Sequence, residues 1–257
     1  MILRRLGNKQ KIAKEIQKYF PPHKIYIEPF FGAGGMFFNK PKAKYNIVND
    51  LDSDVFNLFQ VVINQKEELE KAFYIMPVHS DLLNYWKKNL EVDPIKKALR
   101  FLFLSNLLLN GNNGSLRSNV LENLKDNFFN NLDNAFKMIS DVKFFNKDFR
   151  KFINSLAFRP NSNEIQNSFI YCDPPYLGTN DNYSNSFTQA QSNELFDTLQ
   201  ASKCKFAMSE FDNPFILDQA KKRGLNIHII GERQNLKNRR TEILVTNYKN
   251  RQQSLFA

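Results

Sequence analysis

Apolar residues recur along this chain with two different periods. Short runs rich in β-branched and aromatic residues predict strands at residues 24–28, 45–50, 142–146, 168–172, 203–209, 226–231 and 241–248. Helical patterns separate most of these runs, and that alternation predicts an α/β architecture. No obvious helix lies between the last two, which are expected to pair as a terminal antiparallel hairpin. From Asp52 to Ser140 the period becomes that of nearly continuous helix: Ile95, Ala98, Leu99, Leu102 and Phe103 fall at i, i+3, i+4, i+7 and i+8 and mark one apolar face. A single strong breaker is expected within it, Asn110-Gly111-Asn112-Asn113-Gly114-Ser115, whose glycines and asparagines permit positive φ. The pattern predicts a sheet domain made of residues 1–54 and 141–257, with a helical domain, residues 55–140, inserted into it.

Composition narrows the partners. A chain of 257 residues holds one large domain with a sizeable insertion. No apolar run reaches the ~18 to 20 residues of a membrane span, and Met1-Ile2-Leu3-Arg4-Arg5 is not followed by a signal-peptide core. A cytoplasmic protein is expected. The formal net charge of +10 and a pI near 9.5 favour a polyanionic partner, although an A/T-rich genome alone also raises the share of Lys and Asn. Cys172 and Cys204 both sit in apolar strand-like runs without metal-site spacing, and His23, His79 and His228 are scattered. Neither a metal nor a cysteine nucleophile is expected.

Candidate chemistry begins where the run at 168–172 ends, in Asp173-Pro174-Pro175-Tyr176. These groups suit a planar base bearing an exocyclic amine, and they point to methylation of adenine at N6. The lone pair of that amine is delocalised into the ring, so a site that alkylates it must draw the pair out of conjugation. The Asp173 carboxylate and the Pro174 carbonyl can each accept one N–H, Pro175 having no N–H of its own and stiffening the turn. Tyr176 then offers a flat face to a base flipped from the duplex. The alternative is a strand ending at a Pro-Pro turn with a surface tyrosine, but ligands of open α/β sheets bind at the carboxyl ends of strands.

A second motif, Ile27-Glu28-Pro29-Phe30-Phe31-Gly32-Ala33-Gly34-Gly35, is a strand emptying into a glycine turn. Glycines let backbone approach a ligand closely, and an acid ending the next strand can hold ribose hydroxyls. Asp50 has that position; as a bland alternative it is a turn residue. No Gly-Lys-Ser/Thr phosphate loop occurs, so a cofactor without phosphates, S-adenosylmethionine, fits.

With these motifs in this order the chain resembles the Dam-type (α-group, D12 class) DNA N6-adenine methyltransferases over nearly its whole length. The resemblance implies a Rossmann-like S-adenosylmethionine-dependent methyltransferase sheet with a terminal antiparallel hairpin and an inserted helical target-recognition domain. Arg5-Leu6-Gly7-Asn8-Lys9 is similar to the family's N-terminal cofactor motif, with Arg5 in place of an aromatic and Asn8 in place of a glycine. The resemblance carries cofactor contacts onto Arg5, Lys9, Phe31, Gly32, Asp50 and Asp173. It also gives Asp148 and Phe149 of Lys147-Asp148-Phe149 to the cofactor's adenine. Asp173-Pro174-Pro175-Tyr176 is identical to the catalytic motif, with Asp173, Pro174 and Tyr176 as catalytic residues, and Thr241 to Tyr248 resembles the closing strand. Plain structural readings stand beside these: Asp148 as a helix N-cap, Lys9 as a solvated charge, Phe31 as core, Arg5 as surface.

Double-stranded DNA is the expected partner, engaged by a monomer or weak dimer. Recognition is expected in the inserted helices and their breaker, where Asn113, Ser115, Arg117 and Asn119 are able to reach base edges. Similar family members carry an Asn-Gly-Leu-x-Arg-x-Asn-like segment here, but the Gly-x-Phe-Asn-x-Pro pattern that usually follows is absent. A basic cluster, Arg233, Lys237, Arg239 and Arg240, reads as a phosphate-binding turn before the last strand. Tyr183 and Phe187 either line the flipped-base pocket or anchor the loop. The tail Gln252-Gln253-Ser254-Leu255-Phe256 is similar to the peptide that docks on bacterial sliding clamps; the alternative is that Leu255 and Phe256 fold back onto the sheet. Two other functions remain open: methylation of another amino nitrogen or of RNA, and a catalytically silent DNA-binding relative.

Overall fold

The computed structural model describes residues 2–3, 9–77, 79–107, 118–178, 187–235 and 238–249; for residues 106–107, 118–124, 233–235 and 238–239 it describes the backbone alone. In chain order the described elements are α1 (Ala13–Gln17), β1 (Ile25–Glu28), β2 (Tyr45–Asn49), α2 (Ser53–Asn64), α3 (Lys66–Ile75), α4 (Ser80–Lys88), α5 (Pro94–Leu107), α6 (Ser118–Ile139), β3 (Lys143–Phe145), α7 (Phe149–Asn154), β4 (Ser168–Cys172), α8 (Gln189–Ala201), β5 (Lys205–Phe211), α9 (Pro214–Lys222), β6 (Asn226–Asn235) and β7 (Asn238–Thr246). They fall into two units. The first comprises Met1–Gln10, Gly32–Asn39 and Asp50–Asn146; the second comprises Lys11–Phe31, Lys40–Asn49 and Lys147–Ala257.

Six strands of the seven-stranded sheet belong to the second unit, in the order β2-β1-β4-β5-β7-β6. β1 pairs in parallel with β2 and β4, and β4 in parallel with β5. β7 enters antiparallel to both β5 and β6, so the expected terminal hairpin is present. Tyr26, Phe169, Tyr171 and Phe206 lie fully buried in this sheet, and Phe20 packs its ring 4.6 Å from that of Phe169. Strands buried on both faces read as continuous apolar runs, which is why Ser168–Cys172 was legible without alternation.

Strand boundaries differ from the sequence expectation for local reasons. β5 starts at Lys205 rather than 203 because Lys203 has a φ of +58°, which a strand does not accommodate. β7 stops at Thr246: the Asn247 side chain accepts the Phe206 N–H at 2.8 Å and donates to the Cys204 carbonyl at 2.9 Å, in place of the ladder. The hairpin is also longer than expected. Beyond a register shift between Ile229 and Gly231, Arg233 pairs with Arg240 and Gln234 with Arg239, so the basic cluster expected in a turn is carried largely on strands.

In the first unit the expectation of one breaker is also corrected. Helices end at Asn64, Ile75 and Lys88 as well. Two of the new starts have a local device: His79 caps α4 through the Leu82 N–H at 3.2 Å, and Asp93 accepts the Lys96 N–H at 2.9 Å ahead of Pro94, whereas α3 follows Gln65 with no side-chain cap. Apolar periodicity runs through such corners and hides them. The core is aromatic. Phe73 of α3 stacks on Phe128 of α6 with centroids 4.0 Å apart, Trp86 meets the edge of Phe103 at 5.2 Å, and Phe59 stacks on Phe144 of β3 at 5.6 Å.

Phe73 and Phe128 are both fully buried. Phe128→Ala is therefore expected to destabilise the first unit by about 3–5 kcal/mol, the cost of a lost aromatic and its cavity. The single tryptophan, Trp86, lies in the same unit, so its fluorescence in urea reports the shift of the midpoint.

Candidate active site

In the first unit, the glycine turn and the strand-end acid expected to act together do meet. The Gly32 N–H donates to Asp50 Oδ2 at 2.6 Å, and the Asp52 N–H donates to Oδ1 at 2.9 Å. The second bond makes Asp50 a turn residue as well. Two backbone amides fix the carboxylate in place. Gly32 has a φ of +54°, and none of the described residues lies within 4 Å of where its Cβ would stand. That open approach over a strand-end acid fits a nucleoside cofactor. Lys9, in a short 3₁₀ turn, is only 3% exposed, which overturns its reading as a solvated charge.

In the second unit, β1 and β4 run in parallel, and the turns that follow them leave at one edge of the sheet. Phe31, expected at the cofactor, is 2% exposed, and its N–H donates to the Asn49 carbonyl at 3.0 Å. Asn49, at the end of β2, donates to the carbonyls of Pro29 and Lys147 at 3.0 and 2.9 Å, tying the turn after β1 to the segment before Asp148. Asp148 caps α7 through the Arg150 N–H at 2.9 Å, and its other oxygen meets the Arg150 guanidinium at 2.8 Å. The cap reading of Asp148 is thus shown. Phe149 closes an aromatic group with Phe30 at 5.6 Å and Phe187 at 5.9 Å, so Phe187 anchors its segment.

Asp173 is half-buried at the end of β4, followed by a buried Pro174. Tyr176 is 7% exposed rather than a surface tyrosine. Its phenolic O–H donates to Glu242 of β7, and its ring meets Phe211 edge-on at 4.7 Å. Burial first, then the charges of Asp173 and Glu242, hold the Tyr176 phenol well above its ordinary pKa, so it stays protonated. Burial, with Glu28 and Asp173 nearby, likewise keeps the Cys172 thiol protonated and unreactive. Beside the turn a cleft of about 230 Å³ is lined by Leu177, Phe211, Asp212, Asn213 and Arg240, with the Arg240 guanidinium 5.3 Å from the Phe211 ring. Arg5, Asn113, Ser115, Arg117, Tyr183 and Lys237 and the tail at 252–256 lie outside the described residues, as do the side chains of Asn119 and Arg239. Among the described residues no group of three or more His, Cys, Asp or Glu is placed to hold a metal ion.

Sequence reasoning missed the charges buried behind these turns. Glu28 is 2% exposed and accepts the Tyr26 O–H at 2.8 Å; Lys40 is 6% exposed, with its Nζ 3.8 Å from the Tyr26 ring centroid and 3.0 Å from the Pro41 carbonyl. Glu210 and Glu242 are each 1% exposed. For the three glutamates the signal in the sequence was a charge set in an otherwise apolar strand; Lys40, outside any strand, gave none.

A mostly parallel sheet closed by an antiparallel β7, with Asp-Pro-Pro-Tyr at the end of β4, defines a methyltransferase of the S-adenosylmethionine-dependent class that acts on an amine. The particular family follows from comparison. The model of the D12 class N6 adenine-specific DNA methyltransferases matches residues 6–236, and the chain belongs to that family. It is 27% identical over 222 residues to the DNA adenine methylase of Salmonella typhi, covering 80% of this chain and 78% of that protein. It is 29% identical over 211 residues to the DNA adenine methylase of Haemophilus influenzae, covering 74% and 71%. With the modification methylase StsI of Streptococcus sanguinis it shares 25% identity over 285 residues, 95% of this chain and 42% of that protein. The protein is therefore an enzyme that transfers methyl from S-adenosylmethionine to N6 of adenine in DNA.

Lys40 gives this region a pH signature. Burial lowers its pKa to about 8, against a partial opposing pull from Glu28. Below that pH both folded and unfolded chains hold the proton, and the cost of the buried charge is fully present. Between about 8 and the unfolded value of 10.5 only the unfolded chain holds it, so stability rises with pH. From pH 7 to 9 the expected contribution is about 1 kcal/mol, and Lys40→Met should abolish it in paired urea titrations at the two pH values.

Proposed function

We propose that the chain methylates an adenine extruded from double-stranded DNA at a specific site. Asp173 and the Pro174 carbonyl accept the two N–H groups of the exocyclic amine, while Tyr176 stacks on the base. The observation that carries this reading is the strand β4 ending directly in Asp-Pro-Pro-Tyr, its tyrosine ring held edge-on to Phe211 beside a cleft that includes Arg240. Asp50 and Gly32 would hold the cofactor's ribose side, Asp148 and Phe149 its adenine, and Lys9 and Arg5 its polar end. When bound, S-adenosylmethionine supplies an electrophilic methyl group. The two acceptors would turn the N6 lone pair out of conjugation and aim it at that methyl group, which the amine nitrogen would take up as the carrier departs as a neutral thioether. The proton lost from N6 passes from the Asp173 carboxylate to solvent. No covalent enzyme intermediate is required, and the protein contributes positioning and dipoles aimed at an amine that becomes positive.

Residues 55–140 are read as the target-recognition domain, with Asn113, Ser115, Arg117 and Asn119 at base edges and Tyr183 near the extruded base. Arg233, Arg239 and Arg240 then contact phosphates from the paired strands of the β6–β7 hairpin, together with Lys237, which lies outside the described residues. Within this reading the enzyme works in the cytoplasm as a monomer or weak dimer; no helix among the described residues is long and apolar enough to cross a membrane. A sliding clamp taken up by Gln252 to Phe256 rests on the sequence match alone.

Asp173→Ala should lower transfer of labelled methyl to duplex DNA by roughly 10²–10³ while DNA affinity persists, and wild-type chain should leave RNA unlabelled. A near-normal rate in the variant removes Asp173 from its role, and labelled RNA removes the substrate assignment. For the tail, a peptide of residues 250–257 should bind a bacterial clamp, and a Leu255→Ala, Phe256→Ala peptide should not. Absence of binding at ~100 μM, an affinity of only about −5.5 kcal/mol, dismisses it.

A further inference from the structure

Tyr176 is gripped from behind by strands that reach the turn from the other half of the sheet. Its O–H donates to Oε1 of Glu242, in the middle of β7. Phe211 and Glu242 stand directly opposite in the β5–β7 ladder, so their side chains share a face, and Tyr176 contacts both. One position back on β5, Glu210 accepts the Phe211 N–H at 3.0 Å through Oε1 and the Leu177 N–H at 3.4 Å through Oε2. Ring and backbone of the turn are therefore held by different buried carboxylates. Glu242 takes the ring, and Glu210 the backbone just beyond it.

Burying a carboxylate is costly, and an apolar residue could close the same wall with no such penalty. What a carboxylate adds is direction. An apolar wall leaves the ring free to rock about its long axis, whereas a charge-assisted bond to the phenol fixes where the ring ends and strengthens its negative face. That face is where a base would stack while its amine gains positive charge.

We infer that Glu242 is a positioning residue for methyl transfer, fixing the Tyr176 ring on which the target base stacks. The inference rests on the proposed stacking of the base on Tyr176. It assigns Glu242 no contact with substrate or cofactor and no part in DNA affinity. Its effect belongs to the rate of transfer.

The test is a double-variant cycle on the full chain, read as kcat and as KM for S-adenosylmethionine with an adenine-bearing duplex. Tyr176→Phe and Glu242→Leu should each lower kcat roughly tenfold or more, the worth of a hydrogen bond to a charged group, with KM for the cofactor changed by less than about twofold. Glu242→Gln, which keeps an acceptor, should recover part of the loss. The double variant should be no worse than the poorer single, because both break one bond. Should Glu242→Leu fail to fold, as its melting curve will report, Tyr176→Phe and Glu242→Gln with their double complete the same cycle. Losses that multiply in the double, a wild-type kcat in the Glu242 variants, or a change confined to cofactor KM would each overturn the inference while leaving the proposed function standing. A wild-type chain that methylates no adenine overturns both.

Discussion

Parallel pairing has a directional consequence that the second unit depends on: each strand delivers its carboxyl end to the same edge of the sheet. β1, β4 and β5 thereby present the Pro29 turn, Asp173 and the Asp212 segment along one edge. β7 enters antiparallel beside β5, so its amino end arrives at that edge instead. Had β7 run parallel over the same stretch, Glu242 would have stood opposite Ala207, four residues or roughly 13 Å from the turn. The reversal is what lets a carboxylate from the last strand reach a phenol from the fourth.

Charge burial follows from that convergence. Glu28, Glu210 and Glu242 all lie on strands of the sheet, nearly inaccessible, where an ionised group costs several kcal/mol unless it is partnered. Each is met by a donor: the Tyr26 phenol for Glu28, the amides of Phe211 and Leu177 for Glu210, the Tyr176 phenol for Glu242. Burial and nearby carboxylates push all three tyrosines of this region, Tyr26, Tyr171 and Tyr176, upward in pKa, so these phenols remain donors. These three phenols thus act as fixed dipoles that do not titrate near neutrality.

The two units solve different packing problems. The second buries a sheet and spends its aromatic residues on that core and on the group formed by Phe30, Phe149 and Phe187. The first stacks helices through paired rings such as Phe73 and Phe128, and adds an exposed Lys66–Asp133 ion pair at 2.6 Å between α3 and α6, an interaction worth little by itself. The net charge of +10 is explained by neither core. Part of it is carried by the β6–β7 hairpin past its bulge, where strand backbone rather than a loose turn sets the spacing of Arg233, Arg239 and Arg240. A ribbon of fixed rise suits contacts to a polymer of regularly spaced phosphates.

By itself the sequence determined the α/β class, the seven strands, the terminal hairpin and the two motifs that carry the chemistry, because each rests on local physics. Apolar runs are strands wherever they are buried, a glycine turn needs glycine, and Asp-Pro-Pro-Tyr bears its acceptors in four consecutive residues. Its short-range errors were local too: Lys203 at positive φ and the caps at His79 and Asp93 are single-residue features that periodicity averages away. Only the tertiary structure decided that Asp50 is fixed by the Gly32 amide, that Lys9 is buried, and that Tyr176 is anchored to Glu242, 66 residues later. Those facts depend on which strands become neighbours and in which direction they run. A buried glutamate in a strand looks in sequence like any exposed one, and its partner is chosen by sheet order, which no local pattern encodes.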